Sequence, residues 1–383
     1  MSSSPAVEYT SRTTNWLRLR KADLLMWCVV MGSFVVGLAG YVVRSTFVYP
    51  DSRYYIAMTL RFAGKSPEEA RTITEGITSV FGIAVPETDV LFGWGLVQPR
   101  VVLPLLASVP TRIFGVYWGL VLTVFVINLI LTILMTVILK RRYGNSAAML
   151  ALVLINSSMY LQAFKAGMLT ESLSALWTTL SLLAAWKWIK DRTQWALWAV
   201  FGTVLASAFT RQATLIVAGA FASAWILGLV IRRTNEWMAP ALVAVGTSIG
   251  AQVFQTLVFP FSQAGQFMRM TETDTVGEAL LATPGLLVGI IQYDTYRFLT
   301  EDLPLLVFIL LALVSLLLFF RSQESHLLFG AILGFAVYNI TNGNATQFRY
   351  AVPGLIFYAL SVGLLTGKAS LQRRSNPAIA AET

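Results

Sequence analysis

The sequence predicts an all-α protein, a polytopic transmembrane helical bundle of about ten spans with both termini cytoplasmic and short external interfacial helices. Three observations predict it. Of 383 residues, 56% are hydrophobic and only 12% are charged, about half the roughly 25% charge of a soluble domain. The apolar residues gather into runs near the ~20-residue length that crosses ~30 Å of hydrocarbon. Basic residues recur in alternate loops, which marks those loops as cytoplasmic.

Composition also excludes several chemistries. The net charge is +9. In a membrane protein this reads as cytoplasmic loops facing anionic lipid, so the bilayer is an expected partner and nucleic acid is not. Cys28 is the single cysteine, which rules out a disulfide within the chain and a cysteine metal site. The single histidine, His326, lies near Arg321 on the predicted cytoplasmic side. A histidine metal site and a Ser-His-Asp triad are therefore excluded. Carboxylates, Arg, Lys, amides and Tyr remain. They name no cofactor, and a divalent metal stays open.

The chain opens with a polar stretch carrying Arg12, Arg18, Arg20 and Lys21. The run that follows has no small-residue cleavage site and reads as a retained anchor. The spans fall at about 24–43, 114–139, 146–163, 172–188, 194–210, 213–231, 239–260, 304–320, 327–340 and 350–367. Residues 1–367 read as one transmembrane domain and 368–383 as a cytoplasmic tail. The stretches Met1–Thr14 and Lys368–Thr383 read as disordered. One set of loops holds Lys140/Arg141/Arg142, Lys187/Lys190/Arg192, Arg232/Arg233 and Arg321 and is assigned to the cytoplasm.

Two external segments are long, about 44–113 and 261–303. In the first, Ser66 is placed to cap a helix with Pro67 at its first position and Glu69 in capping-box register. Helices are expected from about 51 to 63 and 66 to 81, lying along the membrane surface. In the second, Ala279–Ile291 is apolar but too short to span, and reads as a re-entrant or interfacial helix.

The candidate chemistry lies on the external side. Asp51, in Tyr49-Pro50-Asp51-Ser52-Arg53-Tyr54-Tyr55, follows the first span. Taken alone it suits a helix N-cap first, and it also suits a general base. Glu171 opens the fourth span, where an acid also suits the helix dipole. Glu87 and Asp89 are a third acidic option or a solvated turn. Arg53, Arg100, Lys165, Arg211, Arg297 and Arg349 form the basic set. They suit a phosphate, or snorkel to lipid head groups. Lys165 and Arg211 sit at the tips of tight helical pairs. Arg349 follows the polar run Asn339–Gln347, costly near hydrocarbon unless it lines a cavity. Tyr54, Tyr55 and Gln347 are candidate acceptor or sugar contacts. Asn156-Ser157-Ser158, Asn339-Ile340-Thr341 and Asn344-Ala345-Thr346 match the glycosylation sequon, a frequent chance match. Asn128, Asn156 and Gln255 read as interhelical hydrogen bonds, and Tyr117, Trp118, Trp195 and Trp198 as interface anchors.

Four stretches together resemble the GT-C superfamily of membrane glycosyltransferases. They are Pro50-Asp51-Ser52-Arg53-Tyr54-Tyr55 after the first span, Gln98-Pro99-Arg100-Val101-Val102-Leu103-Pro104-Leu105-Leu106 closing the first external segment, Thr170-Glu171-Ser172 and Arg349-Tyr350-Ala351-Val352-Pro353. The resemblance implies a polyprenyl-phosphate-linked sugar as donor, a glycan or glycolipid as acceptor, and inverting transfer on the non-cytoplasmic side of the plasma (inner) membrane. By match to the motif, Asp51 is the base, and Arg349 with Arg211 or Lys165 holds the donor phosphate. The Asp-Glu or Asp-x-Asp doublet common in the family is absent from the first external segment. Three other readings stand beside it: a transporter or flippase of a lipid-linked or anionic substrate, a polysaccharide polymerase or ligase, and an inactive scaffold. Transporters place charge near the midplane and carry repeats, whereas here the charges collect at one face.

Overall fold

The computed structural model describes residues 5–259, 261–342 and 346–375, and no strand occurs among them. The chain enters through α1 (Pro5–Arg44). The segment after it holds α2 (Ser52–Phe62), α3 (Pro67–Thr78) and α4 (Thr88–Gly93). Then follow α5 (Val102–Tyr143), α6 (Asn145–Ser157), α7 (Met159–Ala166), α8 (Glu171–Asp191), α9 (Gln194–Ala208), α10 (Thr214–Leu227) and α11 (Met238–Val258). Next come α12 (Gln263–Thr271) and α13 (Val276–Glu301). The chain closes with α14 (Leu303–Leu318), α15 (Gln323–Asn342), a 3-10 turn at Arg349–Gly354 and α16 (Leu355–Ser375).

Several apolar helices are long enough to cross a bilayer. Six stretches qualify: Lys21–Arg44, Val102–Tyr143, Thr214–Arg232, Met238–Val258, Val276–Glu301 and Arg349–Gly367. The pair α6 and α7, bent by 78°, makes a seventh if taken as one span. The protein is thus multi-pass, but length and apolarity qualify fewer crossings than the expected ten. The reasons are local. Helices α9 and α14 are apolar but have 15 and 16 residues, short of a full ~20-residue crossing. Helix α8 carries Glu171, Ser172, Ser174, Thr178, Thr179 and Ser181, which dilute its hydropathy.

Other sequence expectations need correction. Ala279–Ile291 belongs to a continuous 26-residue helix, with Pro284 accommodated inside it. The third expected span breaks at Ser158, whose hydroxyl caps α7 by accepting the Leu161 N–H at 3.0 Å. The N-terminal stretch is helical from Pro5, and α16 runs on to Ser375. The sequon residues Asn344 and Ala345 lie outside the described residues. Asn156 and Asn339 are buried. Gln255 bonds across to the Ala208 carbonyl at 3.0 Å. Trp118, Trp195 and Trp198 are exposed on the outer surface.

The segment between α1 and α5 follows its local code. Ser66 accepts the Glu69 N–H at 3.2 Å, and Pro67 sits at the first helical position. The Glu69 carboxylate turns instead to Lys65, 2.6 Å away. Ile56 and Leu60 of α2 pack with Ala70 of α3 onto Leu103 and Ala107 of α5. Truncating Ile56 to Ala in such a core costs about 2–5 kcal/mol.

Two features position the site. Helix α15 lies against α10 with almost no separation. A Cβ on Gly330 would stand 2.0 Å from the Gly219 carbonyl oxygen, and one on Gly334 would stand 2.2 Å from the Leu215 carbonyl oxygen. Small residues four apart permit this backbone approach. The second feature is polarity along the bundle. At one end, Asp23 pairs with Lys140 at 2.7 Å and Arg142 with Glu324 at 2.7 Å. The opposite end of α1 leads into Asp51.

Candidate functional site

Asp51 precedes the first turn of α2, but its side chain makes no cap hydrogen bond. It is free to face inward because Ser52 does the local work. The Ser52 hydroxyl accepts the Tyr49 N–H at 2.9 Å and donates to the Met168 carbonyl at 3.0 Å. The Asp51 Oδ2 instead meets Arg349 Nη2 at 2.5 Å. Arg349 Nε donates to Glu171 Oε1 at 2.6 Å. The same Glu171 oxygen receives Arg211 Nη1 at 2.9 Å. One line of charges therefore joins the start of α2, the start of α8, the α9–α10 tip and the 3-10 turn before α16.

Exposure grades along this line. The Glu171 and Arg211 side chains are 0% and 1% exposed, whereas those of Asp51 and Arg349 are 30% and 21% exposed. The inner pair forms a floor and the outer pair meets the solvent. Arg211 is further held by Nε–H donation to the Tyr338 hydroxyl at 2.8 Å, and its guanidinium stands 4.7 Å from the Tyr350 ring centre. Thr170 extends the line. Its hydroxyl accepts from Arg211 Nη1 at 3.4 Å and lies 3.5 Å from the Tyr55 hydroxyl, which accepts from Arg100 Nη1 at 3.1 Å.

The cluster holds three guanidiniums (Arg100, Arg211, Arg349) against two carboxylates (Asp51, Glu171). That leaves one positive charge in excess. Burial works to raise the Asp51 carboxyl pKa, but the guanidinium of Arg349, then those of Arg100 and Arg211, hold it below the usual carboxylate range. Asp51 is thus an ionised carboxylate at neutral pH, within reach of solvent and beside a cation.

Arg349 is aimed by an unusual turn. Gln347 and Phe348 both have left-handed backbones, with φ of 63° and 65°. Such conformations are strained for non-glycine residues. Asp294 of α13 stabilises them by accepting the Gln347 N–H at 2.7 Å and the Phe348 N–H at 3.4 Å. Sequence reasoning gave Asp294 no role. The available signal was an acid three residues past the apolar run Ala279–Ile291, which is costly near hydrocarbon without a partner. Tyr338 was also missed; it lies one position before the polar run that drew attention to Arg349.

Not every candidate joins the cluster. Arg53 Nη1 donates to the Ala84 carbonyl at 2.6 Å, which ties α2 to the external segment. Tyr54 is buried against Trp94, with ring centres 5.0 Å apart. Lys165 is 1% exposed and donates to Asn156 at 3.4 Å, on the α1 side of α7. Arg297 pairs with Glu301 at 2.8 Å. Glu87 and Asp89 are exposed. Gln347 contributes its backbone rather than a side-chain contact.

The cluster does not fit a divalent cation. A divalent cation takes roughly six or more oxygen ligands, whereas two carboxylates meet here, each with one oxygen held by a guanidinium. No group of three or more His, Cys, Asp or Glu gathers elsewhere among the described residues. What the arrangement suits is an anion beside a base. Guanidiniums fork onto phosphate oxygens, and an ionised carboxylate accepts a proton. Comparison with protein-family models, with curated proteins and with solved structures finds no match.

Proposed function

We propose that this protein is a membrane glycosyltransferase that moves a sugar from a polyprenyl-phosphate donor to a hydroxyl of a glycan or glycolipid acceptor, with inversion. The observation that carries this reading is Arg349 bridging the partly exposed Asp51 and the buried Glu171. The acceptor hydroxyl attacks the anomeric carbon while Asp51 takes its proton. The bond from that carbon to the phosphate oxygen breaks, and its electron pair leaves with the phosphate. Arg349 turns from Asp51 toward the phosphate as donor binds, which frees the carboxylate at the moment it is needed. Arg211 and Arg100 add positive charge behind it. Fixed charges aimed at developing charge are the strongest catalytic device available to such a site. Glu171 is a positioning residue that holds Arg349 and Arg211 in place.

The site is assigned to the non-cytoplasmic face. The support is the separation of the Lys140 and Arg142 end of the bundle from the Asp51 end, together with the positive-inside tendency. The chain enters the α12–α13 excursion after Gln255, bonded beside Arg211 through Gln212 at 3.2 Å. It leaves at Asp302, bonded to Ser158 at 2.8 Å. That supports an external excursion for α13, a count near ten spans and both termini on the cytoplasmic side of the plasma membrane. A second reading, a transporter of an anionic lipid-linked substrate, draws support from the 78° break between α6 and α7.

The test is transfer by purified protein in lipid with a panel of radiolabelled polyprenyl-phosphate sugars and membrane-extract acceptors. Asp51→Asn is expected to lower transfer by about 10²–10⁴-fold with donor binding retained, and a chelator is expected to leave wild-type transfer unchanged. Normal transfer by Asp51→Asn removes the base assignment. Donor binding and transbilayer movement without turnover across the panel favours the transporter.

A further inference from the structure

A second polar site lies at the break between α6 and α7, next to the Asp51 cluster but distinct from it in its lining. The hydroxyl of Tyr41 on its wall lies 3.1 Å from the Tyr49 hydroxyl, and the ring centre of Phe164 of α7 stands 5.9 Å from the Arg349 guanidinium. A groove of about 410 Å³ runs between this break and α1, lined by Ser33, Gly37, Gly40, Tyr41, Arg44 and Gln162 among others. The α1 glycines shape it: Gly37 lets α6 close on α1, and Gly40 leaves space beside the break. Asn156 approaches the backbone of Gly37 so closely that a Cβ there would stand 2.0 Å from its carbonyl oxygen, whereas a Cβ on Gly40 would meet nothing within 4 Å.

Two buried polar groups at this break lack the partners their chemistry demands. Gln162 is 1% exposed. Its Nε2 donates to the Asn156 carbonyl at 2.8 Å, but its Oε1 has no partner among the described residues. Lys165, one turn on, is equally buried, and its hydrogen bond goes to the neutral Asn156 Oδ1 at 3.4 Å. No carboxylate pairs with it among the described residues. A buried ammonium without a counter-charge is costly, and a lone buried acceptor costs the desolvation of its oxygen. Asn156 Nδ2 reaches the groove wall at Ser33 Oγ, 3.1 Å away. Arg44 is exposed at the rim.

The groove therefore asks for a ligand with two properties. It must carry negative charge for Arg44 at the rim and for Lys165 behind Asn156. It must also offer an O–H or N–H to the Gln162 Oε1. The neighbouring α1 surface is apolar and exposed at Val35, Val36, Val42 and Val43, so acyl chains have a surface to follow. We propose that this groove holds the headgroup of an anionic phospholipid bearing free hydroxyls, with phosphatidylglycerol as its simplest form. The phosphate faces the cations and a headgroup hydroxyl donates to Gln162. The site serves as a lipid anchor for the α6–α7 break and does not depend on the transfer chemistry.

The test is native mass spectrometry of the purified full chain titrated with phosphatidylglycerol and, separately, phosphatidylcholine. Wild type is expected to retain phosphatidylglycerol with a roughly tenfold preference. Gln162→Leu and Arg44→Gln are each expected to cut that preference about threefold to fivefold, and Lys165→Met by at least about tenfold. The first two variants carry the test if Lys165→Met does not fold. Asp51→Asn is expected to keep the preference, which separates this site from the transfer site. Equal retention of both lipids by wild type, or an undiminished preference in Gln162→Leu and Arg44→Gln, overturns the proposal. Displacement of the lipid by millimolar glycerol 3-phosphate overturns the lipid assignment in favour of a soluble phosphate.

Discussion

The carboxylate of Asp294 accepts the backbone N–H of Gln347 at 2.7 Å, joining α13 to the turn that aims Arg349. Without it, two left-handed residues lose their anchor, each strained by about 1–3 kcal/mol. Asp294→Ala is therefore expected to raise the donor KM roughly tenfold or more, at about 1.4 kcal/mol per tenfold, with a smaller change in kcat. Asp294→Asn, which keeps one acceptor oxygen, should recover part of the loss. Steady-state kinetics of the two variants, with hydrogen exchange at Gln347 and Phe348, checks this. A merely structural role would lower active protein without this split between KM and kcat.

Glu171 serves two guanidiniums through one oxygen. Breaking a buried ion pair by removing one partner costs about 3–5 kcal/mol. Glu171→Gln is expected to lose that much stability because Arg211 stays charged and buried. The double variant Glu171→Gln/Arg211→Met should be more stable than Glu171→Gln alone, since no bare charge is left. Thermal unfolding in detergent across the double-mutant cycle gives the coupling directly.

The acid limit of activity follows from Asp51. Its folded pKa lies below the ordinary value of 3.8, so folding favours the ionised form. The contribution of the Asp51–Arg349 pair is fully present above the unfolded value and is lost as pH falls through the lower folded value. Stability and kcat/KM, which reports the donor-free protein, are thus expected to show no Asp51 titration from about pH 5 to 8. Their loss in acid should begin below the usual carboxylate range. A pH–rate profile with an acid limb near neutrality would contradict this assignment.

The α10–α15 contact tolerates no side chain. Gly330→Val places a carbon 2.0 Å from the Gly219 carbonyl oxygen, far inside van der Waals contact, and the helices must separate to admit it. Tyr338 on α15 would then leave Arg211 at the start of α10. The variant is expected to fail to accumulate as folded protein, whereas Gly76→Val, at an exposed position with open space around it, should express normally. Fluorescence-detected size exclusion compares the two.

Much of the site was legible because its members are costly residues in revealing places. Asp51 beside the first span, Glu171 at a helix start and Arg349 after a polar run each violate the apolar pattern, and all three meet in the fold. The break at Ser158 was not legible. The sequence there stays apolar on both sides, and a run of that length reads as one helix. The sorting of the basic residues was also hidden. Arg53 and Lys165 satisfy the same local criteria as Arg349 and Arg211, and only tertiary contacts send them to Ala84 and Asn156 instead. Helix α13 was cut short because Asp294, Arg297 and Glu301 look like the end of an apolar run. In the fold, Asp294 accepts backbone amides, and Arg297 and Glu301 pair with each other.

Along its 26 residues, α13 buries only Ala279 and Phe298 within the protein. A few polar contacts in its second half hold it to the bundle, from Asp294 to Gln347 and from Arg297 and Glu301 to Tyr160, so the lipid around it shares in setting its height and tilt. The bilayer then acts as a mechanical part of the site, setting the lever on which Asp294 rides. Acyl-chain length or lateral pressure would tune the aim of Arg349 without touching any residue of the site. Harsh extraction would leave a well-packed bundle whose guanidinium points the wrong way, so an inactive purified sample and an active membrane can contain the same folded core.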